Sequence, residues 1–173
     1  GDVAECTALE FGDDAIIINS FSKYFSMTGW RLGWAIVPPD LMRAVECLQQ
    51  NLFISAPALS QIAAVAAFDC EDELQANIAA YARNREILLD GLPKAGFTKF
   101  APADGAFYLY ADVRELTKDS EAFCRQMLDE TGVATTPGTD FDRMRGKGYV
   151  RFSFAHSEAT MIGAVKALQN WKR

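Results

Sequence analysis

The sequence of 173 residues contains a single histidine, His156, and its four cysteines form no Cys-x-x-Cys pair. A lone histidine cannot anchor a His-rich metal site, so the sequence argues against metal catalysis. Cys6, Cys47, Cys70 and Cys124 lie far apart along the chain. We interpret them as reduced thiols of a cytoplasmic protein and not as a disulfide framework.

Basic residues are in deficit, because 17 Lys and Arg face 23 Asp and Glu, for a formal net charge of −6. Binding to nucleic acid depends on a basic surface, so this balance argues against a nucleic-acid partner. No apolar run reaches about 18 residues, the length that a membrane-spanning helix needs. Residues 1–5 show neither the basic nor the apolar region of a signal peptide. We therefore expect a cytoplasmic protein with no membrane partner.

Hydrophobic residues make up 50% of the chain, which is enough to bury a core and excludes wholesale disorder. Two apolar runs, residues 15–19 and 32–37, are predicted to be strands. The first is rich in β-branched residues, which suits a strand covered on both faces in a parallel or mixed sheet. Helical periodicity then predicts three helices, which begin at Asp40 as the cap, near Pro57, and at about Glu71.

The second half of the chain alternates strands and helices, which predicts a compact α/β unit. Residues 105–111, 133–136 and 149–154 are predicted strands. Residues 120–130 are predicted to form a helix capped by Ser120, and residues 157–171 a terminal helix. The side chains expected to face inward from these two helices are Phe123, Met127, Leu128, Ile162, Val165 and Leu168.

The segment between the first two predicted strands combines hydroxyl, amine and guanidinium groups. It reads Asn-Ser-Phe-Ser-Lys-Tyr-Phe-Ser-Met-Thr-Gly-Trp-Arg-Leu-Gly-Trp and places Lys23 between Ser20 and Arg31. A water-poor turn favours the neutral, nucleophilic form of a lysine amine, and an arginine with a hydroxyl suits a phosphate dianion. These are the groups that pyridoxal phosphate chemistry requires, although most turn lysines are simply solvated.

The run from Ser20 to Trp34 resembles the cofactor-lysine signature of the class I/II aminotransferases, which are fold type I pyridoxal-phosphate enzymes of the aspartate aminotransferase type. The resemblance implies that Lys23 forms a Schiff base with pyridoxal 5′-phosphate and that Ser20 and Arg31 bind its phosphate. It also assigns the substrate α-carboxylate to Arg151, through bidentate pairing with the guanidinium. The resemblance covers the whole chain, and its other motifs are Gly105-Ala106-Phe107-Tyr108, Thr136-Pro137-Gly138-Thr139-Asp140-Phe141 and Tyr149-Val150-Arg151-Phe152-Ser153-Phe154-Ala155.

The same resemblance implies an α/β fold that is the C-terminal part of the fold type I aminotransferase fold. Residues 1–70 would be the end of the large cofactor-binding domain, residues 71–95 a linking helix, and residues 96–173 the small domain. In the family, the residues that hold the cofactor ring precede the lysine strand, and only 22 residues precede Lys23 here. We therefore expect an inactive chain when these residues stand alone. The resemblance also implies a homodimer for the full-length protein, because family members are usually homodimers.

The implied function is transfer of an amino group between an L-amino acid and a 2-oxo acid. Family members that prefer dicarboxylates often carry an arginine before a Ser-x-Pro turn, and residues 51–57 contain none. This favours a substrate with an apolar or small neutral side chain. Two alternatives stay open: a pyridoxal-phosphate-dependent C–S lyase or related lyase of the same fold, and a non-catalytic interaction module derived from the small domain.

Overall fold

The computed structural model of the chain describes residues 6–172. Residues 1–5, inspected above for a signal peptide, lie outside the described residues. The chain forms two compact units that divide between Ala76 and Asn77, inside a long helix. Across residues 6–172, no helix combines the length and the apolar character that a membrane crossing requires.

The first unit contains a pair of strands followed by helices. Its elements are β1 (Ile17–Ser20), β2 (Gly33–Ile36), α1 (Pro39–Leu52), α2 (Ala58–Ala67) and the beginning of α3 (Glu71–Gly91). β1 and β2 pair antiparallel, with Ser20 opposite Gly33. The prediction of a strand covered on both faces is wrong for this chain, because Ile18 is 81% exposed where no described element packs over it.

Proline determines where the first two helices begin. The predicted cap Asp40 instead lies in the first turn of α1, which begins at Pro39 with Pro38 at the N-cap position. Proline suits this place because its ring fixes a helical φ and because the N–H it lacks would have no intrahelical partner there. The Asp40 carboxylate still interacts favourably with the positive end of the helix dipole. α2 begins in a similar way, directly after Pro57.

The second unit is built on a three-stranded antiparallel sheet. Its elements are the rest of α3, β3 (Tyr108–Asp112), α4 (Ser120–Thr131), β4 (Thr136–Pro137), β5 (Tyr149–Ser153) and α5 (Glu158–Gln169). β5 is the central strand in the order β3–β5–β4. Arg151 therefore has a neighbour on each side, with Tyr110 opposite it on β3 and Thr136 opposite it on β4.

The two faces of this sheet differ in chemistry because successive side chains of a strand point to opposite faces. One face carries Leu109, Ala111, Val150 and Phe152, which are at most 4% exposed and belong to the main hydrophobic core. That core includes residues from α3, α4 and α5. The opposite face carries Arg151 and its polar and aromatic neighbours, so the sheet separates the core from a polar surface.

Two details of the helices correct the sequence-based expectations. Asp119, and not Ser120, caps α4, since its Oδ1 accepts from the backbone N–H groups of Glu121 and Ala122, both at 3.1 Å. Ser120 is instead fully buried and donates to the carbonyl of Gly146 at 3.0 Å. A cap must have an extended backbone, and Asp119 has that conformation.

The buried stripes of α4 and α5 are also narrower than predicted. Leu128 and Ile162 are 46% and 52% exposed, although Phe123, Met127, Val165 and Leu168 are buried as expected. Met161 takes the buried place that was assigned to Ile162. Each exposed residue directly follows a buried methionine. Successive side chains of a helix are about 100° apart around its axis, so the residue after the methionine points away from the core.

Two glycines allow backbone segments of the second unit to cross closely. A Cβ atom built on Gly146 would lie 2.3 Å from the carbonyl carbon and oxygen of Gly138. A Cβ atom on Gly138 would in turn lie 2.7 Å from the hydroxyl oxygen of Tyr110. The loop that contains Phe141 lies between these two glycines, so their contact fixes where the loop begins and ends.

We expect Gly146→Ala to destabilise the second unit by about 1–3 kcal/mol, because the added methyl group would displace the backbone of Gly138. Gly163 lies in the middle of α5, and outside its own helix backbone and chain neighbours no atom of residues 6–172 lies within 4 Å of its Cβ position. Gly163→Ala should therefore stabilise the unit by about 0.5–1 kcal/mol through helix propensity. Hydrogen exchange of the amides of β3 and β5 would measure both changes. Equal stability of the two variants would contradict the close crossing.

The ion pair between Asp112 and Arg114 predicts a pH dependence of stability. Oδ2 of Asp112 lies 2.6 Å from Nη2 of Arg114, and hydrogen bonds from Arg114 lower the pKa of Asp112 to about 2. A carboxyl whose pKa is lower in the folded state stabilises the fold above the unfolded pKa of 3.8, and this contribution is lost as the pH falls towards 2.

Asp112→Asn should therefore weaken the decrease in unfolding free energy between about pH 4 and about pH 2. Asp129→Asn, at an exposed position of α4, is the matched control. Urea unfolding at several pH values would compare them. Parallel pH profiles for Asp112→Asn and the unsubstituted chain would show that the pair does not stabilise the fold.

Candidate functional site

The turn that carries Lys23 is closed by its own backbone hydrogen bonds. The N–H of Phe21 donates to the carbonyl of Leu32, and the N–H of Met27 donates to the carbonyl of Phe21, both at 3.1 Å. The N–H of Ser26 donates to the carbonyl of Lys23 at 3.0 Å. The position of the Lys23 backbone is therefore set by the closure of the turn between β1 and β2.

Aromatic and apolar side chains anchor this turn to α2. Phe21 and Met27 are each 6% exposed and form a small core with Ala64. The ring of Phe21 lies 4.8 Å from that of Phe25 and 5.7 Å from that of Phe68, measured between centroids. These contacts bury Phe21, two residues before Lys23, and Met27, four residues after it, and so hold the turn against α2.

Ser20 is the last residue of β1, and its hydroxyl lies at the entrance of the turn. Its Oγ accepts a hydrogen bond from the N–H of Ser22 at 3.1 Å. Opposite it on β2, Gly33 has no room for a side chain, because a Cβ atom would lie 2.5 Å from the carbonyl oxygen of Asn19. Glycine at position 33 therefore allows the backbones of β1 and β2 to approach closely.

Arg31 ends the turn in the left-handed backbone region, with φ of 52°. Its Nη1 donates to the carbonyl of Thr28 at 2.8 Å. The adjacent carbonyl of Trp30 accepts from the buried hydroxyl of Ser60 on α2 at 2.7 Å. Within residues 6–172 no carboxylate pairs with Arg31, so most of its N–H donors remain available to an anion.

The three residues of this turn fit a phosphate-bearing cofactor. Ser20 and Arg31 supply neutral and charged donors, and the bare Gly33 keeps the strand beside them free of side-chain atoms. Lys23, Ser20 and Arg31 are all exposed. The described residues therefore do not form the water-poor pocket predicted around Lys23, and within the turn the buried side chains are those of Phe21 and Met27.

Arg151 lies on the central strand of the second unit and is half-buried. Its Nη2 donates to Oγ1 of Thr136 at 3.1 Å. Its Cζ lies 4.8 Å from the ring centre of Phe141 and 5.4 Å from that of Tyr108, which are cation–π contacts. Its Nε is buried without a hydrogen-bond partner in the described chain. No carboxylate there pairs with Arg151.

A pocket of about 620 Å³ opens beside Arg151. One of its walls is the residue Ala106, whose φ of 61° is unusual for a residue with a side chain. Arg145 also lines the pocket, but it pairs with Asp142 at 2.8 Å, and its hydrogen bonds lower the pKa of that carboxyl. The lining residues are Ala101, Pro102, Gly105, Ala106, Tyr108, Tyr110, Phe141, Asp142, Arg145 and Arg151.

Tyr110 and Thr136 are residues of this site that the sequence did not single out. The Tyr110 hydroxyl is buried and has no hydrogen-bond partner among residues 6–172. Burial, with the nearby Asp142, raises the pKa of Tyr110, so its phenol stays protonated at neutral pH. Strand alternation around Arg151 is the signal that could have found both, since the residues paired with Arg151 on either side share its face.

A buried asparagine fixes the end of the strand that carries Arg151. Asn84 on α3 is 1% exposed, and its Nδ2 donates to the carbonyls of Phe154 at 2.9 Å and His156 at 2.6 Å. The lone histidine thus contributes a backbone acceptor here, while its side chain is exposed. Ser157 caps α5, since its Oγ accepts from the N–H of Thr160 at 3.2 Å.

The structure brings three of the four predicted site residues into one turn. Ser20, Lys23 and Arg31 belong to the first unit, and Arg151 belongs to the second. Within the part of the chain that is described, no three His, Cys, Asp or Glu side chains come together in a way that could hold a metal ion. The turn of the first unit carries one amine, one guanidinium group and hydroxyls, and the sheet of the second unit carries the guanidinium of Arg151.

Comparison with known proteins identifies relatives over nearly the whole chain. A valine–pyruvate aminotransferase from Mycobacterium tuberculosis is 53% identical over 160 residues, which are 91% of this chain and 41% of that protein. A (5-formylfuran-3-yl)methyl phosphate transaminase from Methanocaldococcus jannaschii is 40% identical, over 87% of this chain and 41% of that protein. The crystal structure of an aminotransferase from M. tuberculosis has a TM-score of 0.95 at 50% identity and covers 97% of this chain and 44% of that one.

The chain therefore spans less than half the length of these relatives. Its α/β structure corresponds to a C-terminal portion of the fold type I aminotransferase fold, as the sequence predicted. The family model for "Aminotransferase class I and II" matches residues 2–168. With that match and these relatives, the chain belongs to the class I and II aminotransferase family.

Proposed function

We propose that the protein that contains this chain is a pyridoxal-phosphate-dependent aminotransferase, which moves an amino group between an L-amino acid and a 2-oxo acid. The observation that carries the proposal is the single turn that follows Ser20, contains Lys23 and ends at Arg31. Arg31 has no carboxylate partner in the described chain, as a phosphate-binding arginine requires.

Each residue of the turn has a distinct role in this proposal. Ser20 and Arg31 bind the cofactor phosphate, the first through its hydroxyl and the second through its guanidinium. Lys23 would hold the cofactor covalently. Once the substrate amine has replaced Lys23 in that bond, the freed Lys23 amine would move the substrate Cα proton as base and acid. When bound, pyridoxal phosphate supplies the electron sink that makes this proton acidic.

Arg151 binds the substrate α-carboxylate in this proposal. The rings of Phe141 and Tyr108 contact its guanidinium and shield that charge from water. A charge that is shielded from water attracts an anion more strongly. The pairing of Asp142 with Arg145 keeps the carboxylate of Asp142 engaged elsewhere in the pocket. A ligand carboxylate therefore meets Arg151 without an internal competitor.

The proposed substrate has an apolar or small neutral side chain. Residues 51–57 contain no arginine for a second carboxylate, and one relative is named for valine and pyruvate. A cytoplasmic homodimer remains part of the proposal. The homodimer is what the family resemblance implies. The apolar residues Leu59, Ile62 and Val65 of α2 are 69–75% exposed here, where further residues of the full-length protein or a second subunit would cover them.

The assignment of Lys23 predicts a single covalent site. In a full-length protein that contains this chain, pyridoxal phosphate followed by borohydride should label Lys23 in preference to the six other lysines of these 173 residues. Peptide mass spectrometry would locate the label. Lys23→Gln should remove the label. The control Lys118→Gln, at an exposed position outside the turn, should leave the label on Lys23. A label on another lysine would refute the assignment.

We further predict that these 173 residues do not transaminate by themselves, because Lys23, Ser20 and Arg31 are all exposed to water here. The chain mixed with pyridoxal phosphate, valine and pyruvate should form no alanine above a protein-free control. A full-length protein that contains the chain should form it. Efficient alanine formation by the chain alone would contradict the prediction, and release of ammonia by the full-length protein would indicate a lyase.

A further inference from the structure

Arg151 lies in a polar rung that crosses all three strands of the second sheet. Tyr110 on β3 and Thr136 on β4 both pair with Arg151 on β5. Residues directly opposite one another in a sheet project from the same face, with Cβ atoms about 5 Å apart. The rung thus places two hydroxyl-bearing side chains beside one guanidinium.

The contacts of Arg151 differ in how strongly they orient it. Phe141 and Tyr108 attract the positive charge through their ring faces, at 4.8 and 5.4 Å, but such contacts do not select a particular N–H group. The hydrogen bond from Nη2 to Thr136 Oγ1 at 3.1 Å does, because hydrogen bonds require an aligned donor. Thr136 supplies the directional contact among the described residues.

The burial of Nε determines which edge of the guanidinium can meet a ligand. Nε has no exposed surface and no partner among residues 6–172. One hydrogen of Nη2 is used by Thr136. The donors that remain for a carboxylate are therefore those of Nη1 and the second hydrogen of Nη2, at the end of the side chain.

We propose that Thr136 is a positioning residue for carboxylate binding at Arg151. Its hydroxyl accepts from Nη2 and turns the end of the guanidinium towards the pocket, so that a carboxylate is bound end-on. The inference deepens the proposed function and rests on it, since it assumes that Arg151 binds the substrate carboxylate.

Two substitutions separate this role from that of an ordinary strand residue. Thr136→Val keeps the branched shape that suits a strand and removes the hydroxyl, whereas Thr136→Ser restores the hydroxyl without the methyl group. The matched control is Thr135→Val, one residue earlier, where the hydroxyl lies 3.2 Å from Sγ of Cys124. Thr136→Ala is a second hydroxyl deletion, for use if valine disturbs the fold.

The test is an NMR titration of the ¹⁵N-labelled 173-residue chain with propionate, a carboxylate that does not react with amines. Thr136→Val should raise the dissociation constant about three- to tenfold, the effect of losing one hydrogen bond that orients a charged group. Thr136→Ser and Thr135→Val should bind as the unsubstituted chain does. Arg151→Gln should abolish binding.

The Nε–H resonance of Arg151 supplies a readout that a purely structural role would not change. It is identified by its loss in Arg151→Gln, and it should shift in Thr136→Val but not in Thr135→Val while both chains remain folded. Unchanged affinity and an unchanged resonance in Thr136→Val would overturn the positioning role and leave the proposed function intact. Propionate binding unaffected by Arg151→Gln, or no binding to the unsubstituted chain, would overturn the assignment of the carboxylate to Arg151 and the positioning role of Thr136 with it. The proposed function would still be decided by the labelling of Lys23.

Discussion

The pairing of β5 on both sides is the constraint on which the second unit depends. Because Arg151 lies opposite both Tyr110 and Thr136, its side chain cannot change face without a shift in register of the whole sheet. The same register places Leu109, Val150 and Phe152 in the core. The stability of the hydrophobic face and the orientation of the guanidinium are therefore consequences of one alignment of three strands.

The loop over this sheet depends on a second constraint, which is the close crossing of Gly138 and Gly146. Side chains at either position would collide with the backbone or with Tyr110. The crossing brings the loop back over the polar face and places the ring of Phe141 4.8 Å from Cζ of Arg151. Small residues in the loop thus make possible a contact between a large ring and a charge.

The sequence predicted the order of strands and helices well, because apolar periodicity and proline or glycine breaks are local signals. It was less successful where two adjacent residues compete for one role. Asp119 and Ser120 can both cap a helix, and Met161 and Ile162 are both apolar, so only the packing of α4 and α5 decides between them. The predicted site residues Ser20, Lys23 and Arg31 do share one turn, but long motif resemblance, and not periodicity, indicated them.

Thr136 could not be singled out from the sequence, because its role depends on its contact with Arg151, which is 15 residues further along the chain. The exposure of Lys23 also depends on residues that are distant in the sequence. A motif specifies the local backbone, and here Phe21 and Met27 fold inward as that backbone requires. The water-poor environment of an amine is instead a long-range property, set by whatever packs over the turn. Local sequence can therefore specify the groups of such a site more completely than it can specify their solvation.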